Sequence, residues 1–323
     1  MAILVPATGD LLAQILDATF HKWNDGLSRT AYGRWFSAQL QTPWGRSHLT
    51  RWALVEGSQV LASAKLYELD AVADGRPVRI AGIGAVFTMP EHRRRGAASE
   101  LVERVIEHAA AGGADLAMLF SEIDPAYYAR LGFDVVPMHE LSLRVTEDAR
   151  RGAPATMVRA GDDRDLGEVV AMDAARAEPF RFRLRRDRSF VHYGIAKQRM
   201  LAGLAPAGAR ALQFFVAEEG ASAVAYVVIS VNGGRWTINS CGDRDPAGAR
   251  LGAILQVLIA REPGEARPEI RAWLPATLRP PQIEIVGSAP SSDVMMMRAL
   301  TDAGRVSPPL TDADVCYWRG DAF

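Results

Sequence analysis

The chain has 323 residues, 49% of them hydrophobic, with 37 basic and 38 acidic side chains and a formal net charge of −1. That length predicts two domains or one large one, with enough apolar side chains for a sizeable core. Near-neutral charge leaves no general footprint for nucleic acid or a membrane surface, and the two cysteines and six scattered histidines offer no metal-ligand spacing.

The N-terminus MAILVPATGDLL has no basic leader region, and no apolar run reaches the length of a bilayer span. The expectation is a cytoplasmic protein with its two cysteines reduced. Residues 1–50 read as helical and aromatic, with helices over Leu11–Phe20 and Ala31–Gln41 and the rings Trp23, Tyr32, Trp35, Phe36 and Trp44. Thr50–Glu56 and Val60–Asp70 then read as strands joined at Gly57-Ser58. Asp74-Gly75 marks a hairpin turn before a strand over Val78–Phe87. Gly82 and Gly84 lie inside that strand, where a glycine signals a bulge or a close backbone approach.

The loop His92-Arg93-Arg94-Arg95-Gly96-Ala97-Ala98 follows and opens directly into a helix. Leu101, Val102, Val105, Ile106 and Ala109 fall on one face of it, and Gly112-Gly113 ends it. The first N–H groups of a helix have no internal acceptor, and its dipole adds partial positive charge there. Small residues let backbone approach a ligand, and three arginines add charge that does not titrate at neutral pH. A basic triplet alone is ordinary surface; between a strand and a helix it suits a diphosphate. Asp115–Phe120 reads as a buried strand, so the unit is strand–loop–helix–strand with a right-handed crossover. A short helix then ends in Tyr128-Ala129-Arg130-Leu131-Gly132-Phe133.

In combination these residues resemble the acetyl-CoA core of the Gcn5-related N-acetyltransferase (GNAT) superfamily. Arg93-Arg94-Arg95-Gly96-Ala97-Ala98 matches its pyrophosphate pattern [Q/R]-x-x-G-x-[G/A], and Tyr128–Phe133 matches its Tyr-x-x-x-Gly-Phe. The resemblance implies a mixed-sheet α/β acyl-CoA N-acyltransferase fold, with acetyl-CoA as cosubstrate and no metal. Arg93, Arg94, Arg95, Gly96, Ala97, Ala98 and Ser99 would hold the pyrophosphate. Val86, Phe87 and Thr88 would pair with the pantetheine arm, and Tyr128 would protonate the leaving thiolate. Its phenol has an ordinary pKa of about 10, so it carries a proton at neutral pH. The general base stays open between Glu68, which shares a strand face with Asp70, and Glu122, which follows Ser121. A water chain is the alternative.

A hydrophilic stretch over Thr146–Pro154 reads as a linker, dividing a catalytic domain at 1–148 from a second domain at 149–323. After it, Val158–Leu166 opens a helix, Ala211–Glu218, Ala221–Val231 and Arg235–Cys241 read as strands, and Gly248–Ala260 as a helix. The order repeats that of the first half, which implies a degenerate second GNAT-like domain. Its phosphate-loop position, Gly242-Asp243-Arg244-Asp245-Pro246-Ala247-Gly248, carries two acids and a proline without an N–H, so this half is expected to bind no coenzyme. An intact first domain with a degenerate second one resembles the enhanced-intracellular-survival-type acetyltransferases. Those enzymes bring a C-terminal carboxylate into the active site from a sterol-carrier-like third domain, for which about forty residues after Pro281 are too few; whether the carboxylate of Phe323 takes that role stays open.

The function expected is acetyl-CoA-dependent transfer of acetyl to a primary amine, small molecule or lysine-type, by direct attack in a ternary complex. The rival is a non-catalytic acyl-CoA-binding regulator. Neither nucleic acid nor membrane is expected as a partner, and a homo-oligomer is left open.

Overall fold

The computed structural model describes residues 1–146, 157–263 and 267–323. The expected linker lies, beyond Thr146, outside the described residues. Two compact units emerge: Met1–Pro137 with Ser292–Leu310 and Phe323, and Met138–Ser291 with Thr311–Ala322.

In chain order the first stretch runs β1 (Ile3–Pro6), α1 (Gly9–Trp23), α2 (Arg29–Gln41), α3 (Pro43–His48), β2 (Leu49–Glu56), β3 (Gln59–Ala73) and β4 (Arg76–Thr88). It continues with α4 (Ala97–Ala111), β5 (Leu116–Ser121), α5 (Ala126–Ala129) and β6 (Asp134–Val135). Then come β7 (His139–Val145), β8 (Met157–Ala160), α6 (Leu166–Ala177), β9 (Phe182–Leu184), α7 (Arg188–Leu204), β10 (Arg210–Glu219), β11 (Ser222–Asn232) and β12 (Arg235–Asp243). The last elements are α8 (Ala249–Ile259), β13 (Glu269–Ala272), β14 (Ile283–Pro290), β15 (Val294–Ala299) and β16 (Val315–Cys316).

The first unit's sheet has the order β1-β2-β3-β4-β5-β15-β6. Strands β1 to β4 form an antiparallel meander; β4 and β5 are parallel and joined through α4. Local chemistry sets the turns. Asp74 and Gly75 both take positive φ, +47° and +76°, as a tight β3–β4 hairpin requires. Ser28 accepts from Ala31 N–H to cap α2, and Thr42 accepts from Gly45 N–H to cap α3.

Helix α4 covers one sheet face. Leu101, Val102, Val105 and Ile106 are almost fully buried there, in one cluster with Ala62, Ala64, Leu66, Ala81 and Ile83. Burial of four aliphatic side chains contributes roughly 6–12 kcal/mol as an upper estimate. Helix α1 lies on the opposite face, where Ile15 packs with Ala53, Val55 and Phe87.

The units differ from the expected division at 148. Strand β7 pairs with β13 and β14 in the second sheet, whereas β15 pairs with β5 from Val294↔Ser121 to Ala299↔Leu116 in the first. The cause is burial: Met295 and Met296 are fully buried and Met297 nearly so.

The second unit's sheet has the order β14-β7-β13-β12-β11-β10-β8. Its elements repeat the first unit's sequence of strand, two helices, antiparallel meander, helix and parallel strand, with α8 joining the parallel pair β12–β13. The GNAT-like mixed α/β fold therefore occurs twice. Strands β1, β6 to β9 and β13 to β16 and helices α3 and α7 had no counterpart in the sequence reading, which took Val158–Ala160 of β8 for the opening of a helix.

Candidate active site

Strand β4 is built to part from β5. The parallel pairing runs from Ile80↔Leu116 to Ile83↔Leu119, and residues 84–88 extend beyond it without a β5 partner. The β3–β4 register slips between Ser63↔Phe87 and Lys65↔Gly84, so β4 carries one extra residue there. Ala85 takes φ +48° inside this bulge. Val86, Phe87 and Thr88 thus lie along a strand edge that faces the opening.

The basic loop closes the same end. Arg94 takes φ +61° and Gly96, the N-cap of α4, takes φ +86°. Left-handed residues of this kind turn successive N–H groups toward one concavity, an anion-binding arrangement. The first intrahelical bond runs from Glu100 N–H to Gly96 C=O, leaving the N–H groups of Ala97, Ala98 and Ser99 without helical acceptors. Arg93, Arg94 and Arg95 are exposed around them. Arg93 also braces the loop, donating from Nε to the Thr88 carbonyl at 3.4 Å.

Tyr128 is 8% exposed, in α5, and belongs to the core cluster that includes α4's apolar face. Burial, then the neighbouring Tyr127 and Glu122, push its phenol up to about 12. The neighbouring Tyr127 hydroxyl shares a hydrogen bond with Ser99 Oγ at 3.0 Å, tying α5 to the first turn of α4.

The carboxylates separate. Glu122 follows β5, exposed, 3.8 Å from Lys22 of α1 and close enough to raise the Tyr128 phenol. Glu68 is exposed and pairs in register with Ala81, on the α4 face of β3. Tyr67 and Lys65 point the other way, so the structure does not bring Glu68 together with them. Ser121 is buried and spent locally, donating to the Ile123 carbonyl at 2.8 Å.

The face of β3 and β4 opposite α4 is aromatic. Phe323 stacks on Tyr67 with ring centres 4.7 Å apart and meets Phe120 edge-on at 5.4 Å. A Cβ at Gly82 would lie 2.6 Å from the Phe323 ring, and one at Gly84 only 3.1 Å from its carbonyl carbon. The two glycines are therefore the bare floor on which this ring lies. Sequence reading marked a close approach at Gly82 and Gly84 and missed what approaches, because its partner lies more than two hundred residues away.

The second unit keeps the parting and fills it. Its parallel pair ends at Ile238↔Ala272, and the β11–β12 register slips at Val228/Ile229, one residue beyond on β12. Gly248 caps α8 at φ +72°, as Gly96 caps α4. Here, however, Asp243 Oδ2 accepts from Arg250 and Leu251 N–H, each at 2.9 Å, and Oδ1 from Asp245 N–H at 2.8 Å. An internal carboxylate occupies the helix terminus where a phosphate would bind. Gly320 lies against the bulged Asn239 so closely that a Cβ would sit 3.0 Å from the Asn239 carbonyl oxygen.

Among the described residues, no three His, Cys, Asp or Glu side chains group as metal ligands, and no helix is long and apolar enough to cross a membrane. Cys241 and Cys316 are both buried and free.

Comparison with known proteins bears on this arrangement. Residues 14–136 match the family model described as acetyltransferase (GNAT) domain. No curated protein matches the chain by sequence. Among solved structures, a GCN5-related N-acetyltransferase from Kribbella flavida is similar at 19% identity and TM-score 0.68, over 93% of this chain and 71% of that one. One from Anabaena variabilis shares 12% identity at TM-score 0.68, over 93% and 73%. Eis1 from Mycobacterium abscessus shares 14% identity at TM-score 0.55, over 93% and 73%. At these identities the structures speak for the fold, and the family match speaks for the domain that bears the parted strands and the basic loop. Residues 14–136 thus match an acetyltransferase (GNAT) domain, and the chain shares its fold with N-acetyltransferases of known structure.

Proposed function

We propose that the first unit transfers acetyl from acetyl-CoA to a primary amine by direct attack in a ternary complex. The observation that carries this reading is the juxtaposition at the parted end of β4: an unpaired strand edge, a helix terminus with open N–H groups among three arginines, and a buried phenol.

The N–H groups of residues 97–99 and the guanidinium groups of Arg93, Arg94 and Arg95 bind the pyrophosphate. The β4 edge at Val86, Phe87 and Thr88 pairs with the pantetheine amides and aims the thioester into the opening. A backbone N–H of Phe87 or Thr88 meets the oxygen that gains charge as the amine nitrogen bonds to the thioester carbon. As the carbon–sulfur bond breaks, Tyr128 gives its proton to the departing sulfur. A phenol held near 12 stays protonated throughout the physiological range, as an acid in this step must. Glu122, rather than Glu68, takes the proton that the attacking amine loses, directly or through water, because Glu122 lies close enough to the Tyr128 phenol to raise it.

The second unit does not bind coenzyme in this reading, since Asp243 already occupies its helix terminus.

The test is thiol release from acetyl-CoA across a panel of primary amines, with Tyr128→Phe alongside. Release that depends on an amine, and a kcat lowered about 100-fold or more in Tyr128→Phe with coenzyme affinity retained, are the expected results. Tight coenzyme binding without release on any amine would support a non-catalytic coenzyme-binding role instead. Full turnover by Tyr128→Phe would remove the acid assignment.

A further inference from the structure

Helix α5 is a single turn, Ala126–Ala129, too short to hold its shape without contacts from outside itself. Asp124 starts it, accepting from Ala126 N–H at 2.9 Å. Its two tyrosines then go separate ways. Tyr128 is buried, and its ring meets that of Phe133 edge-on at 6.1 Å. Tyr127 is half-buried and stands at right angles to Tyr128, with ring centres 4.9 Å apart. The Tyr127 hydroxyl lies 3.0 Å from Ser99 Oγ, and the exposed Arg130 guanidinium lies 5.8 Å from the Tyr127 ring centre.

Ser99 is the third residue of α4, and its N–H is among those left without a helical acceptor. A serine hydroxyl has one proton to give and lone pairs to accept another. Either oxygen of the Ser99–Tyr127 pair can be the donor. Where Tyr127 donates to Ser99 Oγ, the Ser99 proton is left to point at an anion on the helix terminus. Where Ser99 donates to Tyr127, that proton is spent. A phosphate oxygen beside Ser99 selects the first order, and the charge-assisted bond strengthens the one behind it. Tyr127 and Tyr128 share one helical turn, so a Tyr127 held in this way holds the ring beside it.

We infer that Tyr127 is a positioning residue: through Ser99 it ties the placement of the Tyr128 acid to a pyrophosphate on the terminus of α4. This rests on the transferase reading above and adds to it a role for the phosphate end of the coenzyme in the chemical step as well as in binding.

The first measurement is calorimetric binding of coenzyme A to the full chain as wild type, Tyr127→Phe, Ser99→Ala and the double variant. Each single change is expected to weaken binding about 3- to 10-fold, as befits one hydrogen bond. The double variant should bind no more weakly than Ser99→Ala, because the second change removes a bond already broken. Tyr127→Phe keeps the ring against Tyr128, and circular dichroism checks the fold of all three. The second measurement is thiol release with two donors, acetyl-CoA and S-acetylpantetheine, which has the same thioester without the pyrophosphate. The ratio of the two kcat values, acetyl-CoA over S-acetylpantetheine, should fall about 3- to 10-fold in Tyr127→Phe. A residue that served only the fold would lower both values alike. Unchanged coenzyme A binding in Tyr127→Phe, additive losses in the double variant, or an unchanged ratio of kcat values would overturn the inference. The binding cycle needs no turnover. A coupled cycle without thiol release on any amine would therefore count against the transferase reading and leave the tie between Tyr127 and the phosphate standing.

Discussion

The Tyr128 phenol becomes a weaker acid, because burial penalises the phenolate. In the unfolded chain a tyrosine ionises from about pH 10, whereas Tyr128 in the fold holds its proton to about 12. Its folded pKa is raised, so it contributes stability that is fully present below pH 10 and lost as pH rises through 12. Urea denaturation between pH 9 and 12 should therefore show an alkaline loss that is shallower in Tyr128→Phe; identical slopes would contradict the burial of this phenol. The short helix that carries Tyr128 was legible because its spacing to Gly132 and Phe133 is local. The bond from Tyr127 to Ser99 was not, because the two residues lie 28 apart and meet only once α4 and α5 are packed.

At the scale of elements, the two helix N-termini, α4 and α8, show the same backbone put to different uses. Both begin at a left-handed glycine after a parting strand. In α4 the first N–H groups are left open amid arginines; in α8 Asp243 takes two of them. Asp243→Ala leaves those donors and the Asp245 N–H without their acceptor and is expected to destabilise the protein by about 1–3 kcal/mol. Calorimetric unfolding measures this, and an unchanged midpoint would show that water replaces the carboxylate without cost. Sequence reading noted the two acids of this loop as a reason to expect no coenzyme there. The structure adds that one of them stands in its place. Helices with apolar spacing and the Asp74-Gly75 hairpin were readable in advance because their signals lie within a few residues. Strand β15 was not, since Met295, Met296 and Met297 show no alternation, and methionine has little preference for a strand.

The whole molecule is less separable than two successive domains would be. The first unit's sheet takes β15 from beyond the second unit's strands, so a fragment ending at residue 148 lacks the strand between β5 and β6. Such a fragment would expose the edge of β5 along Leu116–Ser121, a template for pairing with other chains. We expect residues 1–148 expressed alone to aggregate or to show no cooperative unfolding, whereas the full chain unfolds cooperatively. A soluble fragment with a sharp thermal transition would show that β15 is dispensable.

The interleaving has a consequence for biogenesis. Strand β15 is synthesised roughly 170 residues after β5. At ordinary elongation rates the ribosome delivers it roughly 10–30 s later. The half that carries the family match, first to emerge, therefore waits for its sheet to be completed until most of the second unit has been made. Throughout that interval the nascent chain holds an open β5 edge, and it is there that a chaperone has most to protect.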